Sequence, residues 1–73
     1  MKNSTMISPR EMTKRFHISY QTINYYTNLG LLVVRRKRGN GRLYSQEEVR
    51  RRLQRIDKLK NRGYPLRLIV NML

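Results

Sequence analysis

Gln21 and Asn24 stand three residues apart in a polar stretch, and Arg35-Arg36-Lys37-Arg38 runs straight into Gly39-Asn40-Gly41-Arg42. Each carboxamide can donate and accept at once, so on one helix face the pair suits the donor and acceptor on a base edge, adenine above all. The basic run carries a different chemistry. Four like charges in a row repel one another, and a polyanion relieves that repulsion. Alternate residues of a strand point to opposite sides, so Arg36 and Arg38 are the expected contacts, assisted by Lys37, Asn40 and Arg42. A narrow minor groove attracts inserted arginine. Tyr20 and Tyr25 are placed to hydrogen-bond phosphates or to pack on a sugar backbone.

Catalysis has no such footing. His17 is the single histidine, and the sequence offers no acidic pair, no nucleophile beside a base and no glycine loop for a phosphate. It holds no cysteine, which excludes disulfides, zinc-thiolate sites and thiol chemistry. No cluster of metal ligands exists, so neither a metal nor a cofactor is expected. His17 reads as a packing or surface residue.

Seventeen Lys and Arg against four Asp and Glu give a formal charge of +13. The potential around so small a body favours a polyanionic partner, nucleic acid first and an anionic membrane second. A chain of 73 residues buries only ~60% of the surface its unfolded form exposes, so one thin-cored domain is expected and a deep pocket is not. The start is polar, and the longest apolar run is Leu31-Leu32-Val33-Val34. Neither is a signal peptide or a membrane span, and the expectation is a cytoplasmic, nucleoid-associated protein.

The elements that must position these side chains announce themselves at their caps. Residues 1–6 read as a flexible tail ahead of a single domain over 7–73. Ser8-Pro9-Arg10-Glu11 opens a helix with a capping box and a proline at its first position, running to about Arg15 with Met12 and Phe16 facing inward. His17-Ile18 makes the turn. Ser19 caps a second helix, Tyr20 to about Asn28, that Gly30 closes. Ile23 and Tyr26 share its inner face; Tyr20, Gln21, Asn24, Tyr25 and Asn28 share the outer one. Leu32-Val33-Val34 suggests a strand, Gly39-Asn40-Gly41 a turn and Arg42-Leu43-Tyr44 the return strand. Ser45-Gln46-Glu47-Glu48 is a second capping box, and Val49, Leu53, Ile56 and Leu59 give the third helix an apolar stripe. Arg50, Arg51, Arg52, Arg55 and Lys58 cover the rest of it. Gly63 ends it, and a fourth helix follows from Leu66 to Met72, burying Leu66, Ile69, Val70 and Leu73. The acids Glu11, Glu47 and Glu48 sit in first turns, where the helix dipole favours them.

Two short capped helices joined by a three-residue turn, the second polar on its outer face, form a helix-turn-helix, and the surrounding charge turns that reading toward DNA. The fold class is therefore mainly α: a winged helix-turn-helix of four helices with a small two-stranded β-hairpin wing. Lys14, Arg15, Ser19 and Thr22 join the expected contacts. Lys60-Asn61-Arg62-Gly63-Tyr64 forms a second basic loop, with Lys60, Arg62 and Tyr64 as its candidates.

The chain resembles the DNA-binding domain of the MerR (mercury-resistance-type) regulators in Ile23-Asn24-Tyr25-Tyr26, Gly30-Leu31-Leu32, Arg42-Leu43-Tyr44-Ser45, Glu48-Val49 and Gly63-Tyr64-Pro65-Leu66 with Ile69. These motifs span nearly all of it. The resemblance implies that the second helix lies in the major groove, that Arg35 to Arg42 is a first wing and Lys60 to Tyr64 a second. It also gives Tyr25, Arg42 and Tyr44 weight as backbone contacts. The Ser8-Pro9-Arg10-Glu11-Met12 start is closer to short excisionase-like members of the superfamily. Two positions depart from the pattern: Asn24 stands where such families usually carry Arg, and Gly41 where an aromatic is common. Full regulators continue into a dimerising helix and an effector-binding region, which these 73 residues do not contain, so an excised domain or a naturally minimal protein is expected.

The expected function is sequence-specific binding of double-stranded DNA by a bacterial transcription regulator of MerR type or its isolated DNA-binding domain, without enzymatic activity. The expected partners are duplex DNA and a second copy of the chain, through a dimerising segment or head-to-tail on DNA. Two alternatives share the charge: an excisionase-like architectural protein that bends DNA, and an RNA-binding protein. The second is disfavoured because single-stranded RNA readers display aromatics on a sheet.

Overall fold

A computed structural model describes residues 5–73. Helix α1 (Pro9–Phe16) starts where its capping box closes: Ser8 Oγ accepts the Glu11 N–H at 3.2 Å and the Glu11 carboxylate accepts the Ser8 N–H at 2.9 Å. It stops at His17, whose left-handed backbone (φ 57°) turns the chain. Helix α2 (Tyr20–Leu29) follows at once, with Ser19 Oγ accepting the Thr22 N–H at 3.0 Å. Gly30 ends it at φ 90°, a conformation that side chains other than glycine rarely adopt. A Cβ on Gly30 would also sit 3.3 Å from a Val70 methyl.

Leu31 and Leu32 do not begin a strand. Their N–H groups both donate to the Tyr26 carbonyl, at 2.8 and 3.3 Å, which wraps them under the end of α2 as fully buried core. The strand expected at 32–34 is instead β2 (Arg36–Arg38), paired with β3 (Gly41–Ser45) in the register Arg36 to Leu43, Lys37 to Arg42 and Arg38 to Gly41. The tight turn at Gly39-Asn40 sets that register, and the last bond below it is Arg35 N–H to the Leu43 carbonyl at 2.9 Å.

The sheet gains a third strand. β1 (Met6–Ile7) pairs antiparallel with β3, giving the order β1-β3-β2. Met6 was expected in the tail but lies opposite Ser45, because β3 has a second edge to satisfy and Ile7 has a core to enter, where it is 1% exposed. The Thr5 carbonyl extends the pairing by accepting the Gln46 N–H at 2.8 Å. The rest of the expected tail, residues 1–4, lies outside the described residues.

Ser45 then caps α3 (Gln46–Asn61), accepting the Glu48 N–H at 3.3 Å. Val49, Ile56 and Leu59 bury the stripe predicted for α3, with Leu53 half-buried. The fourth helix is shorter than its apolar pattern suggests. α4 (Leu66–Ile69) tightens into a 3-10 turn over Val70–Met72. Ile69 alone of its four expected core residues is fully buried; Leu66 and Val70 are half-buried and Leu73 is exposed. Ile7, Met12, Ile23, Tyr26, Leu31, Leu32, Tyr44, Val49, Ile56, Leu59 and Ile69 make one core that fixes α2, the sheet and α3 together.

Candidate nucleic-acid interface

Helix α2 turns Ile23 and Tyr26 into the core and leaves Tyr20, Gln21 and Tyr25 exposed. Thr22 and Asn24 are half-buried at the edge of the same face. The hydroxyls of Ser19 and Thr22 are engaged with each other at 2.9 Å in the cap, so both serve the start of the helix. The Gln21 side chain makes no hydrogen bond among the described residues. It sits in the first turn of α2, the part of a recognition helix that meets base edges.

The hairpin of β2 and β3 places Arg36, Lys37, Arg38 and Asn40 in solvent. By the register, Lys37 lies across from Arg42, on the side of the sheet that also carries Tyr44. Arg36 and Arg38 fall on the opposite side. Side chains from both sides of the hairpin, with Tyr20 of α2, line one open groove of about 690 Å³, walled on its far side by Ser8, Pro9 and Glu11 of α1 and its cap. Arg36, Lys37, Arg38, Asn40 and Arg42 give this groove five of its lining residues, and Glu11 is its one acid. Its potential is therefore cationic.

Arg42 joins the hairpin to the helix. Its Nη2 donates to Asn24 Oδ1 at 2.6 Å, and its guanidinium carbon lies 5.7 Å from the centre of the Tyr44 ring. Beneath it Tyr44 is 0% exposed, and its hydroxyl meets Thr27 Oγ1 at 2.7 Å. Tyr44 was expected to contact a nucleic-acid backbone; the structure makes it a core residue, because its side of β3 faces α2 and its hydroxyl is satisfied there. Thr27 drew no attention in the sequence. The only trace of it is its spacing, three residues after Asn24 on one helix face, matching Arg42 and Tyr44 two apart on one face of a strand.

Arg35 is withdrawn from the basic run. Its Nε donates to Glu48 Oε1 at 2.9 Å and its Nη2 to Oε2, a two-pronged ion pair that ties the root of the hairpin to the first turn of α3. The hydrogen bond from Arg35 holds the Glu48 carboxyl below the usual carboxylate range against the opposing effect of burial, and the charges of Arg35, Arg52 and Arg51 add to it. Arg52 is also withdrawn: its Nη1 donates to the Leu31 carbonyl at 3.2 Å, placing a cation at the C-terminal end of α2, where the helix dipole favours it.

The remaining candidates are scattered. Lys14 and Arg15 are exposed on α1, and Arg15 Nη1 donates to Gln46 Oε1 at 3.0 Å. Lys60, Arg62 and Tyr64 are exposed in the turn after α3, where Gly63 takes φ 97° and the Tyr64 N–H returns to the Leu59 carbonyl at 3.1 Å. That basic turn leaves one end of α3 and the hairpin enters the other. The helix is 16 residues long, so the two lie about 24 Å apart along its axis at 1.5 Å per residue. Among the described residues, no group of His, Asp and Glu is arranged to hold a metal, and no helix is long and apolar enough to cross a membrane.

A family model described as "MerR HTH family regulatory protein" matches residues 7–73. No curated protein and no solved structure matches the chain.

Proposed function

The chain belongs to the MerR HTH regulatory family, whose helix-turn-helix domains bind double-stranded DNA in transcription regulation, and from that premise we propose that it recognises a specific operator sequence through α2 and the basic hairpin. The observation that supports this most directly is the groove shared by Tyr20 and the hairpin cations. A duplex seated on α2 meets Gln21 with its base edges while Arg36, Lys37, Arg38, Asn40 and Arg42 meet its phosphates. Lys60, Arg62 and Tyr64, at the end of α3 away from the hairpin, are proposed as a second backbone grip. Tyr25, Lys14 and Arg15 extend the backbone contacts. Ser19 and Thr22 contribute by fixing the start of the reading helix.

Affinity in such a site comes largely from counterion release, and discrimination from the few side chains that reach base edges. One copy of the domain covers one half-site. Firm regulation therefore calls for a second copy, bound through a dimerising segment or head-to-tail on DNA, so that two half-sites are gripped together and the DNA between them is distorted. The test is selection of duplexes from a random pool by the chain, followed by sequencing. A recurrent motif supports operator recognition; inverted repeats indicate a two-fold dimer and direct repeats head-to-tail loading. A pool that stays random overturns sequence-specific reading, and preference for RNA in competition overturns duplex binding.

A further inference from the structure

We propose that Asn24 is a positioning residue for Arg42 rather than a reader of bases, and that amide reading on α2 falls to Gln21. This rests on the duplex-binding function above and assigns roles within that site.

Pairing with adenine requires a carboxamide oxygen to accept from the base while its NH₂ donates. Asn24 Oδ1 already accepts from the charged Nη2 of Arg42 at 2.6 Å. A charge-assisted bond of this kind is about twice as strong as a neutral one; it takes one of the oxygen's two lone pairs and holds the carboxamide turned to the hairpin, which disfavours the two-ended geometry a base edge needs. Gln21, three residues earlier and exposed, has neither end of its amide engaged among the described residues.

Arg42 gains what Asn24 gives up. A guanidinium carries five N–H donors and accepts nothing. One donor is anchored on Asn24, and the plane is steadied against the Tyr44 ring. Tyr44 is itself fixed by Thr27. Arg42 also helps to line the cationic groove, and its remaining donors are not taken by any bond to Asn24. A long side chain fixed before binding loses less freedom when a phosphate takes hold of it. Asn24 and Thr27 on α2, with Arg42 and Tyr44 on β3, form two rungs that hold the hairpin at one setting against the reading helix.

The test is a double-mutant cycle. The wild-type chain, Asn24→Ala, Arg42→Ala and the double variant are titrated by fluorescence anisotropy. One duplex carries the motif the wild-type chain selects from a random pool; the other is of mixed sequence. The expected result is a three- to tenfold rise in Kd for Asn24→Ala, an order-of-magnitude figure from the ordering of one long side chain, equal on both duplexes. The double variant should bind no more weakly than Arg42→Ala alone. Gln21→Ala should instead change the selected motif. A loss for Asn24→Ala confined to the selected duplex, or losses that multiply in the double variant, would overturn the proposal. Alanine is the better helix former, and Asn24→Ser, whose oxygen is too short to reach Arg42, gives an independent variant. Nitrogen NMR of the free protein supplies a readout that a merely structural role would not move: the Arg42 side-chain signals should lose their restricted rotation in Asn24→Ala while the backbone amides of α2 and β3 keep their positions. If the wild-type pool yields no motif, sequence-specific reading fails by itself, and the cycle on the mixed-sequence duplex still decides the role of Asn24.

Discussion

The hydroxyls of Tyr44 and Thr27 meet at 2.7 Å inside the fold, joining the C-terminal half of α2 to the return strand of the hairpin. Thr27 Oγ1 lies 2.7 Å from the Ile23 carbonyl as well, as the donor in that bond. The Tyr44 hydroxyl therefore donates to Thr27. Tyr44→Phe keeps the ring and deletes that one donor, leaving no buried polar group stranded. The expected loss is about 1 kcal/mol, seen as a fall in Tm of roughly 4–8 °C for a domain of this size. Binding to duplex DNA, measured well below Tm, should keep its salt dependence because no charge is removed. An unchanged Tm together with weakened binding would return Tyr44 to the contact surface.

The Arg35–Glu48 pair gives the fold an acid-sensitive joint. Glu48 is held below its usual value of 4.5 in the folded chain, mainly by the Arg35 hydrogen bond. The unfolded chain thus takes up a proton there first as pH falls. The pair's stabilisation is complete above the usual carboxylate value and disappears as pH drops through the lower folded value. Wild type should melt above Glu48→Gln at pH 7, and the two curves should converge as pH falls below about 4.5. A gap that stays constant down to pH 3 would show that Glu48 acts through helix capping or packing instead.

Two glycines with nearly the same backbone should respond differently to alanine. Gly30 and Gly63 take φ 90° and 97°, so both substitutions carry left-handed strain of roughly 1–2 kcal/mol. At Gly63 an added Cβ meets nothing within 4 Å, whereas at Gly30 it approaches Val70 at 3.3 Å. Gly30→Ala should lower Tm further than Gly63→Ala, and Gly30→Ala combined with Val70→Ala should lose less than the two single changes added together. Strict additivity would mean that the 3-10 turn is free to move aside.

What could be read along the chain was whatever three or four neighbouring residues decide. Ser8 with Glu11, Ser19 and Ser45 each bond within their own first turn, so the starts of α1, α2 and α3 were legible. The start of β2 was not. Leu31-Leu32-Val33-Val34 has strand composition, but the Tyr26 carbonyl captures its first two N–H groups, and only the folded end of α2 presents that carbonyl. Leu73 was placed in the core by periodicity that α4 abandons after one turn. At the candidate site the sequence supplied the cations and amides but not their pairing. Arg42 and Asn24 lie 18 residues apart, and nothing local says that the arginine takes the oxygen a base would need. Arg35 read as one more charge in the run, although Glu48 removes it.

The hairpin charges should count individually in the salt dependence of binding. Side chains from both sides of the hairpin line the groove with Tyr20, an arrangement suited to a hairpin entering DNA edge-on, with phosphates on either side. Each neutralised phosphate contributes about 0.9 to the slope of log K against log salt. Arg36→Ala, Lys37→Ala, Arg38→Ala and Arg42→Ala should therefore each flatten the slope by up to about 0.9 on any duplex. Arg55→Ala is the matched control: it removes the same unit of charge from an exposed position of α3 that borders Arg51, Arg52 and Leu73 and none of the proposed contacts, and it should leave the slope unchanged. A hairpin lying flat against the DNA would show the effect for Lys37 and Arg42 only, since they share the side facing α2. If Arg55→Ala flattens the slope as much as the hairpin variants do, binding follows net charge alone and the hairpin is no wing.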